Sequence, residues 1–158
     1  MRKTFVILNP VSDRGQAGKR EGEVREALDR AGIRYDLVLT RRPGHATELA
    51  RKAVEEGVTV VVAAGGDGTV NEVAQALVNT EVPLGVLPIG SGNDYARVLG
   101  IPKDLGAAAQ RIAQGNTRRV DVGRTGERFF LNSLGMGIDG QIALDYHCLL
   151  YTSPSPRD

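Results

Sequence analysis

Residues 58–64 constrain the fold more than any other part of the sequence. The segment is almost wholly apolar, is rich in β-branched side chains and carries no charge. That composition is typical of a strand covered on both faces, as in a parallel sheet, where the crossover connections place helices above and below. The sequence therefore predicts an α/β domain built around this strand.

Shorter strands and helices alternate around this segment. Apolar runs predict strands at residues 5–8, 33–39 and 84–87, and stripes of apolar residues at helical spacing predict the helices between them. Gly32 and Gly57 follow the first two helices at positions that favour a left-handed conformation. The third helix is predicted to begin at Thr69. Such alternation implies βαβ units and a mostly parallel sheet with helices on both faces.

The pattern changes after residue 100. A helix is predicted over residues 104–114 with Asp104 as its N-cap, and a shorter one over residues 95–99. Residues 120–123 and 129–134 are predicted as strands that could pair antiparallel. Residues 146–158 show no amphipathic period and contain Ser-Pro-Ser-Pro, which cannot continue a helix. This tail resembles translated adapter sequence, so we expect it to be non-native.

Composition excludes several classes of protein. Lys and Arg total 20 against 19 for Asp and Glu, so the chain lacks the basic excess of a nucleic-acid-binding protein. Cys148 is the single cysteine, which excludes an internal disulfide framework and a cysteine-based zinc site. No apolar run approaches the ~18 residues of a membrane span. We expect a reduced, cytoplasmic protein of ordinary domain size, with no nucleic-acid partner.

Three polar, glycine-rich loops follow predicted strands, over residues 9–15, 65–72 and 88–94. Ligands of open parallel sheets bind outside the carboxyl ends of the strands, where these loops must lie. The loop after the buried strand reads Gly-Gly-Asp-Gly, and its glycines allow backbone N–H groups to approach an anion closely. The helix start that follows also favours phosphate. A tight turn is the alternative interpretation.

Asp67 stands among the amides that would bind phosphate. A carboxylate next to a bare phosphate would repel it, whereas a divalent cation between the two makes the arrangement attractive, so the loop implies Mg²⁺. Asn71 and Glu72 lie in the first helical turn and could point back at the same ligand. The loop matches neither the GxGxxG fingerprint nor the Walker A motif.

The other loops offer weaker candidates. Ser91 lies between two glycines and could donate to a phosphate or ribose, while Asn93 and Asp94 are candidates for the N-cap of the next helix. Arg97 is equally well a phosphate partner or a solvated charge. His45, near a helix start, is expected to cap or pack rather than act as a base.

Four loops together carry the resemblance to a known family. Asn-Pro at residues 9–10, Thr40 with Gly-His-Ala at 44–46, Gly-Gly-Asp-Gly-Thr at 65–69 and Gly-Ser-Gly-Asn-Asp at 90–94 resemble the catalytic domain of the diacylglycerol kinase and sphingosine kinase family. The similarity covers residues 3–145 and is greatest to bacterial lipid kinases of the diacylglycerol kinase type. The glycine-rich motif at 65–69 is also similar to that of NAD kinases and phosphofructokinases.

The resemblance implies a fold and an activity. The fold is a Rossmann-like three-layer α/β sandwich with a mostly parallel sheet, as in the N-terminal domain of NAD kinase and phosphofructokinase, followed by the start of a β-rich second domain. The activity is ATP-dependent, Mg²⁺-requiring transfer of the γ-phosphoryl group to a hydroxyl of a diacylglycerol-like lipid. Asp67 would act at the phosphates and the metal. Residues that would meet ATP are Asn9, Pro10, Val11, Ser12, Asp13, Thr40, Gly66, Asp67, Gly68, Thr69, Val70, Asn71, Glu72 and Ser91.

The family's second domain carries the proposed base, and nothing in this sequence matches that segment. We therefore expect a nucleotide-binding domain over residues 1–119, the beginning of a second β domain over 120–145, and weak turnover or none by this chain. Asn132, Gly135, Gly137 and Asp139 form a fourth polar cluster with a weak signal. Alternatives are a kinase for a soluble substrate, such as NAD, and a non-catalytic nucleotide-binding module. The substrate class implies peripheral contact with a membrane surface, and unpaired strands would allow a homodimer.

Overall fold

A computed structural model describes residues 3–132, in which a four-stranded parallel sheet is flanked by helices. A short 3-10 helix, Ala17–Arg20, precedes the first α-helix. In chain order, the strands and α-helices are β1 (Thr4–Leu8), α1 (Glu21–Arg30), β2 (Tyr35–Leu39), α2 (His45–Glu55), β3 (Val60–Gly65), α3 (Asp67–Leu77), β4 (Leu84–Pro88), α4 (Asp94–Val98), α5 (Leu105–Gln114), β5 (Gly123–Thr125) and β6 (Arg128–Phe130).

The strand order β2-β1-β3-β4 determines where a ligand can bind. From β1 the chain moves outward to β2, whereas from β3 it moves outward in the opposite direction to β4. The connections therefore diverge between β1 and β3, which pair in parallel with Leu8 opposite Ala64. A crevice opens at such a switch point, beyond the carboxyl ends of the strands. The loops after β1 and β3 lie on either side of it.

Each face of the sheet is covered by two of the longer helices. Val6 and Leu8 of β1 point toward α1 and α5, and Ile7 between them points toward α2 and α3, as the two-residue period of a strand requires. All six residues of β3 are buried. The predicted three-layer α/β fold is confirmed. No helix in residues 3–132 is long and apolar enough to cross a membrane.

Two strands begin later than the sequence predicts, for a shared reason. Gly32 and Gly57 adopt φ values of +69° and +73° after α1 and α2, as predicted. The next residues, Ile33 and Val58, donate their N–H groups back to Leu28 and Ala53. They complete the helix C-terminal motif, in which an apolar residue follows the left-handed glycine. Consequently β2 starts at Tyr35 and β3 at Val60.

Helix starts agree with the sequence in one case and differ in another. The Asp104 side chain accepts the N–H of Ala107 at 2.8 Å, so its predicted role as the N-cap of α5 is confirmed. By contrast, α3 begins at Asp67, not at Thr69, because the backbone turns directly from extended Gly66 into the helix. Asp67 and Gly68 therefore belong to the first helical turn rather than to a loop.

The last described element is an antiparallel hairpin of β5 and β6. Strands were predicted at residues 120–123 and 129–134. The observed strands are Gly123–Thr125 and Arg128–Phe130, and a tight turn at Gly126, where φ is +56°, fixes their pairing. A turn of two residues sets the register of the strands that it joins. The cluster at Gly135, Gly137 and Asp139 and the tail at residues 146–158 lie outside the described residues.

The buried helix face gives a test of this packing. Leu28 is fully buried between α1 and the sheet, so Leu28→Ala is expected to lower the free energy of unfolding by about 2–5 kcal/mol. Val98 is an aliphatic residue that is 70% exposed, and Val98→Ala should change the same quantity by less than about 0.5 kcal/mol. Urea unfolding of both variants measures the difference. Equal effects would contradict the assigned core.

Candidate functional site

The loops after β1 and β3 are bonded to each other across the switch point. The Asn9 N–H donates to Ala64 O at 3.0 Å, and its Nδ2 donates to Thr69 Oγ1 at 2.9 Å. Ser12 Oγ accepts the N–H of Gly66 at 3.4 Å and lies 3.4 Å from Thr69 Oγ1. The side chains of the first loop thus hold the second loop and the start of α3 in place.

The loops after β3 and β4 approach each other through glycine backbones. A Cβ added to Gly90 would lie 2.3 Å from the Cα of Gly66, which is too close for two carbon atoms that are not bonded to each other. A Cβ on Gly65 would lie 2.5 Å from the Thr69 side chain. Ile89 donates its N–H to Gly65 O at 3.2 Å. Glycine is therefore required at 65 and 90 for packing, whether or not a ligand is bound.

Asp67 joins the β3 loop to α4. Its Oδ2 accepts the N–H of Asp94 at 3.0 Å, and its Oδ1 accepts the N–H of Tyr95 at 2.8 Å. These are the first N–H groups of α4, which have no partner inside the helix. A carboxylate is also the charge that a helix N-terminus favours. Asp67 therefore caps a helix 27 residues further along the chain.

The prediction that Asn93 or Asp94 is the N-cap of this helix is therefore confirmed in position but wrong for the side chain. Asn93 does occupy the N-cap position of α4, but with φ of +55° and no side-chain bond to the helix. In that left-handed conformation its carboxamide returns to Gly90, where Oδ1 accepts the N–H at 3.0 Å and Nδ2 donates to the carbonyl at 2.5 Å. Asn93 closes the Gly-Ser-Gly loop, and Asp67 caps the helix in its place.

One side of α3 remains open at the first turn. A Cβ on Gly68 would meet nothing within 4 Å, and Gly68 is exposed. Glycine inside a helix costs about 1 kcal/mol relative to alanine, and no neighbour here requires it. Ser91 is exposed on the adjacent loop. One turn beyond, Asn71 Oδ1 is buried and has no hydrogen-bond partner among the described residues.

The predicted site residues of the first loop fall into two groups. Asn9 and Ser12 bond to the β3 loop as described above, while Val11 is 73% exposed and Pro10 half-buried. Asp13 has φ of +53°, and the following Arg14 and Gly15 are also left-handed. Left-handed conformations at residues other than glycine are costly and concentrate at functional sites.

Two predicted residues of α3 face the interior. Thr69 and Val70 are buried, and the Thr69 hydroxyl is engaged by Asn9 and Ser12. The carbonyl of Glu72 accepts the hydroxyl of Thr47, which ties α3 to α2 at 2.7 Å. The side chains of Thr69 and Val70 therefore support the loop, and the groups that face solvent at this turn belong to Gly68 and its neighbours.

The remaining candidates lie nearby with defined partners. Thr40 is buried at the end of β2, and its N–H donates to Leu8 O at 2.8 Å. His45 Nδ1 accepts the N–H of Arg41 at 3.1 Å, so this side chain bonds to the loop before α2 and does not cap the helix. Arg97 is exposed and forms an ion pair with Asp94 at 2.7 Å. Thr40 thus shares the carboxyl edge of the sheet with the three loops.

The electrostatics of the site are set by few groups. Within residues 3–132, no three side chains of the His, Cys, Asp or Glu type form a metal-binding group. Tyr95, whose N–H Asp67 accepts, has the pKa of its phenol raised by burial, an effect that Arg118 partly offsets. Asp67 is a carboxylate in the first turn of α3 that also bonds to the start of α4.

Comparisons with known proteins show the family to which the chain belongs. The family model for the diacylglycerol kinase catalytic domain matches residues 3–125. The chain belongs to the diacylglycerol kinase catalytic domain family. A diacylglycerol kinase of Bacillus subtilis is 35% identical over 155 residues, which cover 96% of this chain and 51% of the relative. A diacylglycerol kinase of Staphylococcus aureus is 34% identical over 146 residues, covering 91% of this chain and 46% of that protein.

The fold is shared with a solved member of the family. The crystal structure of a diacylglycerol kinase from Bacillus anthracis aligns with a TM-score of 0.71 at 30% identity and covers 83% of this chain. The alignment includes 48% of that protein. The chain thus spans about half the length of the relatives that it matches.

Sequence reasoning missed the contacts that hold the family's loops together. The pairing of Asp67 with the N–H groups of α4 joins residues 27 apart, and no local sequence pattern predicts it. The close approach of Gly66 and Gly90 is likewise a tertiary feature. A usable signal did exist, since both loops carry glycine immediately after adjacent parallel strands, where backbones can come together.

The contact between the two loops can be tested without a ligand. In Gly90→Ala the new methyl group would overlap the Gly66 backbone, so we expect the free energy of unfolding to fall by about 1–3 kcal/mol. Gly66→Ala is the matched control, because its Cβ would lie at an ordinary 3.4 Å from Gly90. Thermal or urea unfolding compares them. An unchanged Gly90→Ala variant would contradict the described approach.

Proposed function

We propose that this chain provides the nucleotide-binding part of an ATP-dependent lipid kinase, which transfers the γ-phosphoryl group to a hydroxyl of a diacylglycerol-like lipid. The observation that carries the proposal is the meeting of three loops at the switch point of the sheet, joined by Asn9 and Asp67. Membership in the diacylglycerol kinase catalytic domain family supports phosphoryl transfer as the reaction.

The first turn of α3 has the properties of a phosphate site. Its leading N–H groups lack partners inside the helix, and its dipole is positive at this end. Gly68 leaves open space where any other residue would place a Cβ. A phosphate chain could therefore contact the backbone directly, while Ser91 on the neighbouring loop offers a hydroxyl. Phosphoryl transfer depends on positioning and charge neutralisation, which such a rigid set of donors supplies.

Asp67 is the residue that would hold Mg²⁺. Each of its carboxylate oxygens accepts one backbone N–H and keeps further lone-pair capacity. Magnesium commonly binds through one or two carboxylates together with substrate phosphates and water, so the absence of a three-residue cluster in residues 3–132 is compatible with it. When bound, the ion would neutralise charge on the phosphates.

The acceptor in this proposal is a lipid rather than a soluble molecule. Relatives from two bacterial genera carry the name diacylglycerol kinase, and the Gly-Ser-Gly-Asn-Asp loop is the motif that favours the lipid branch. A lipid acceptor implies work at a membrane surface. A kinase for a soluble acceptor such as NAD, or a non-catalytic nucleotide-binding module, is the competing outcome of the tests below.

The proposal leaves the base unassigned. Nothing in the sequence matches the segment that carries the base in the family. We propose that residues 1–119 form the nucleotide-binding domain, with a second domain beginning after them. Label transfer from γ-labelled ATP should therefore be measured in a form as long as the relatives. Label in the lipid extract supports the proposal, label in NAD supports the alternative, and nucleotide binding without transfer supports a binding module.

A first prediction concerns magnesium. Asp67→Asn is expected to lower the magnesium-dependent gain in ATP affinity by about 10-fold or more, because the amide loses the charge that attracts the ion. Asp104→Asn is the matched control, since Asp104 also caps a helix and asparagine caps nearly as well. Isothermal titration with ATP, with and without Mg²⁺, measures both. An equal response of the two variants would assign Asp67 to capping alone.

A second prediction separates binding from folding. Gly68→Ala should raise the free energy of unfolding by about 0.5–1 kcal/mol, as helix propensity dictates, and weaken ATP binding by filling the open space. A Cβ at Gly22 in α1 also meets open space, so Gly22→Ala should raise the free energy of unfolding without changing the affinity for ATP. The two quantities come from urea unfolding and calorimetry. Undiminished ATP affinity in Gly68→Ala would place the nucleotide elsewhere.

A further inference from the structure

The carboxamide of Gln75 pairs with the backbone of a residue 54 positions away. Its Oε1 accepts the N–H of Phe129 at 3.0 Å, and its Nε2 donates to the carbonyl of Phe129 at 2.8 Å. One side chain thus satisfies both polar groups of a single strand residue. Within residues 3–132 no strand pairs with β6 on that side, and the Gln75 carboxamide takes that position.

The hairpin depends on such support. Its strands have three residues each, and an isolated two-stranded hairpin is marginally stable at best. Internally it is held by the ring of Phe130, which occupies the space above Gly123, and by the guanidinium of Arg124, 6.0 Å from the Phe129 ring. These contacts keep the hairpin closed, but they do not fix it to the sheet domain.

Gln75 lies on the helix that also begins the nucleotide loop. Gly68, Asn71 and Gln75 follow one another at spacings of three and four, so they share one face of α3. Nε2 of Gln75 also donates to the Asn71 carbonyl at 3.1 Å, which restrains its carboxamide. Two residues after Phe129, Leu131 packs against the core cluster that α3 helps to form. One helix face therefore runs from the candidate phosphate site to the hairpin.

We propose that Gln75 is a positioning residue that fastens the β5–β6 hairpin to the helix carrying the nucleotide loop. The position of the hairpin is then set relative to the candidate phosphate site by one rigid helix. The importance of that placement for phosphoryl transfer rests on the proposed function, whereas the attachment itself does not.

Hydrogen exchange at the Phe129 amide tests the attachment directly. Gln75→Leu removes both bonds, so we expect the protection factor of this amide to fall roughly tenfold or more. Gln110→Leu is the matched control, because Gln110 is an exposed glutamine on α5 that faces away from the hairpin's partner helix. It should leave the protection of Phe129 unchanged within about twofold.

A second variant gives a signature that loss of packing cannot imitate. In Gln75→Glu the protonated carboxyl has the shape and the bonding pattern of the amide, with its O–H donating to Phe129 O. Ionisation removes that donor and sets negative charge against the carbonyl. The carboxyl of glutamate ordinarily titrates near pH ~4.3. Protection should therefore be near wild type below that pKa and fall as the pH rises through it.

The outcomes distinguish this inference from the proposed function. Protection that is unchanged in Gln75→Leu, or independent of pH in Gln75→Glu after correction for intrinsic exchange, overturns the positioning role. The measurements are made without nucleotide. If the protection of Phe129 depends on Gln75 but titration detects no ATP binding, the proposed function fails and the attachment stands. If ATP binds but the protection of Phe129 does not depend on Gln75, the attachment fails and the proposed function stands.

Discussion

The parallel pairing of β1 with β3 decides where this molecule can carry out chemistry. Because the chain leaves β1 toward one edge of the sheet and β3 toward the other, none of the connections within residues 3–132 crosses the space between their carboxyl ends. The two loops that border this space must nevertheless be held together. Asn9 does so with its backbone on Ala64 and its side chain on Thr69. The candidate site follows from this pairing before any ligand is considered.

Asp67 combines structural support with the proposed chemistry, and the two roles do not conflict. Capping α4 fixes the orientation of the carboxylate through two backbone N–H groups. A ligand group that is held in this way loses little conformational freedom when it meets a metal ion. The same two bonds hold the loop with Ser91 beside α3. The contacts by which Asp67 supports the fold thus also hold its carboxylate in one orientation for the proposed binding of a metal ion.

Local patterns predicted the elements, and tertiary contacts determined the details. The β-branched run at residues 58–64 identified the central strand, and Asp104 identified the start of α5. The strand boundaries after Gly32 and Gly57 were misjudged because an apolar residue can serve a helix C-terminus as well as a strand. The side chain that caps α4 was misjudged, because Asn93 bonds to Gly90 while Asp67 accepts the first N–H groups of the helix.

Glycine shows most clearly why a motif alone does not reveal a site. Gly65 and Gly90 are dictated by packing, because a side chain at either position would overlap a neighbour. Gly68 stands in open space inside a helix, where alanine would be the more stable residue. In the sequence, all three are simply glycines of glycine-rich segments, and nothing distinguishes them. Only the surroundings of each Cβ position separate the glycines that packing requires from the one that packing does not require.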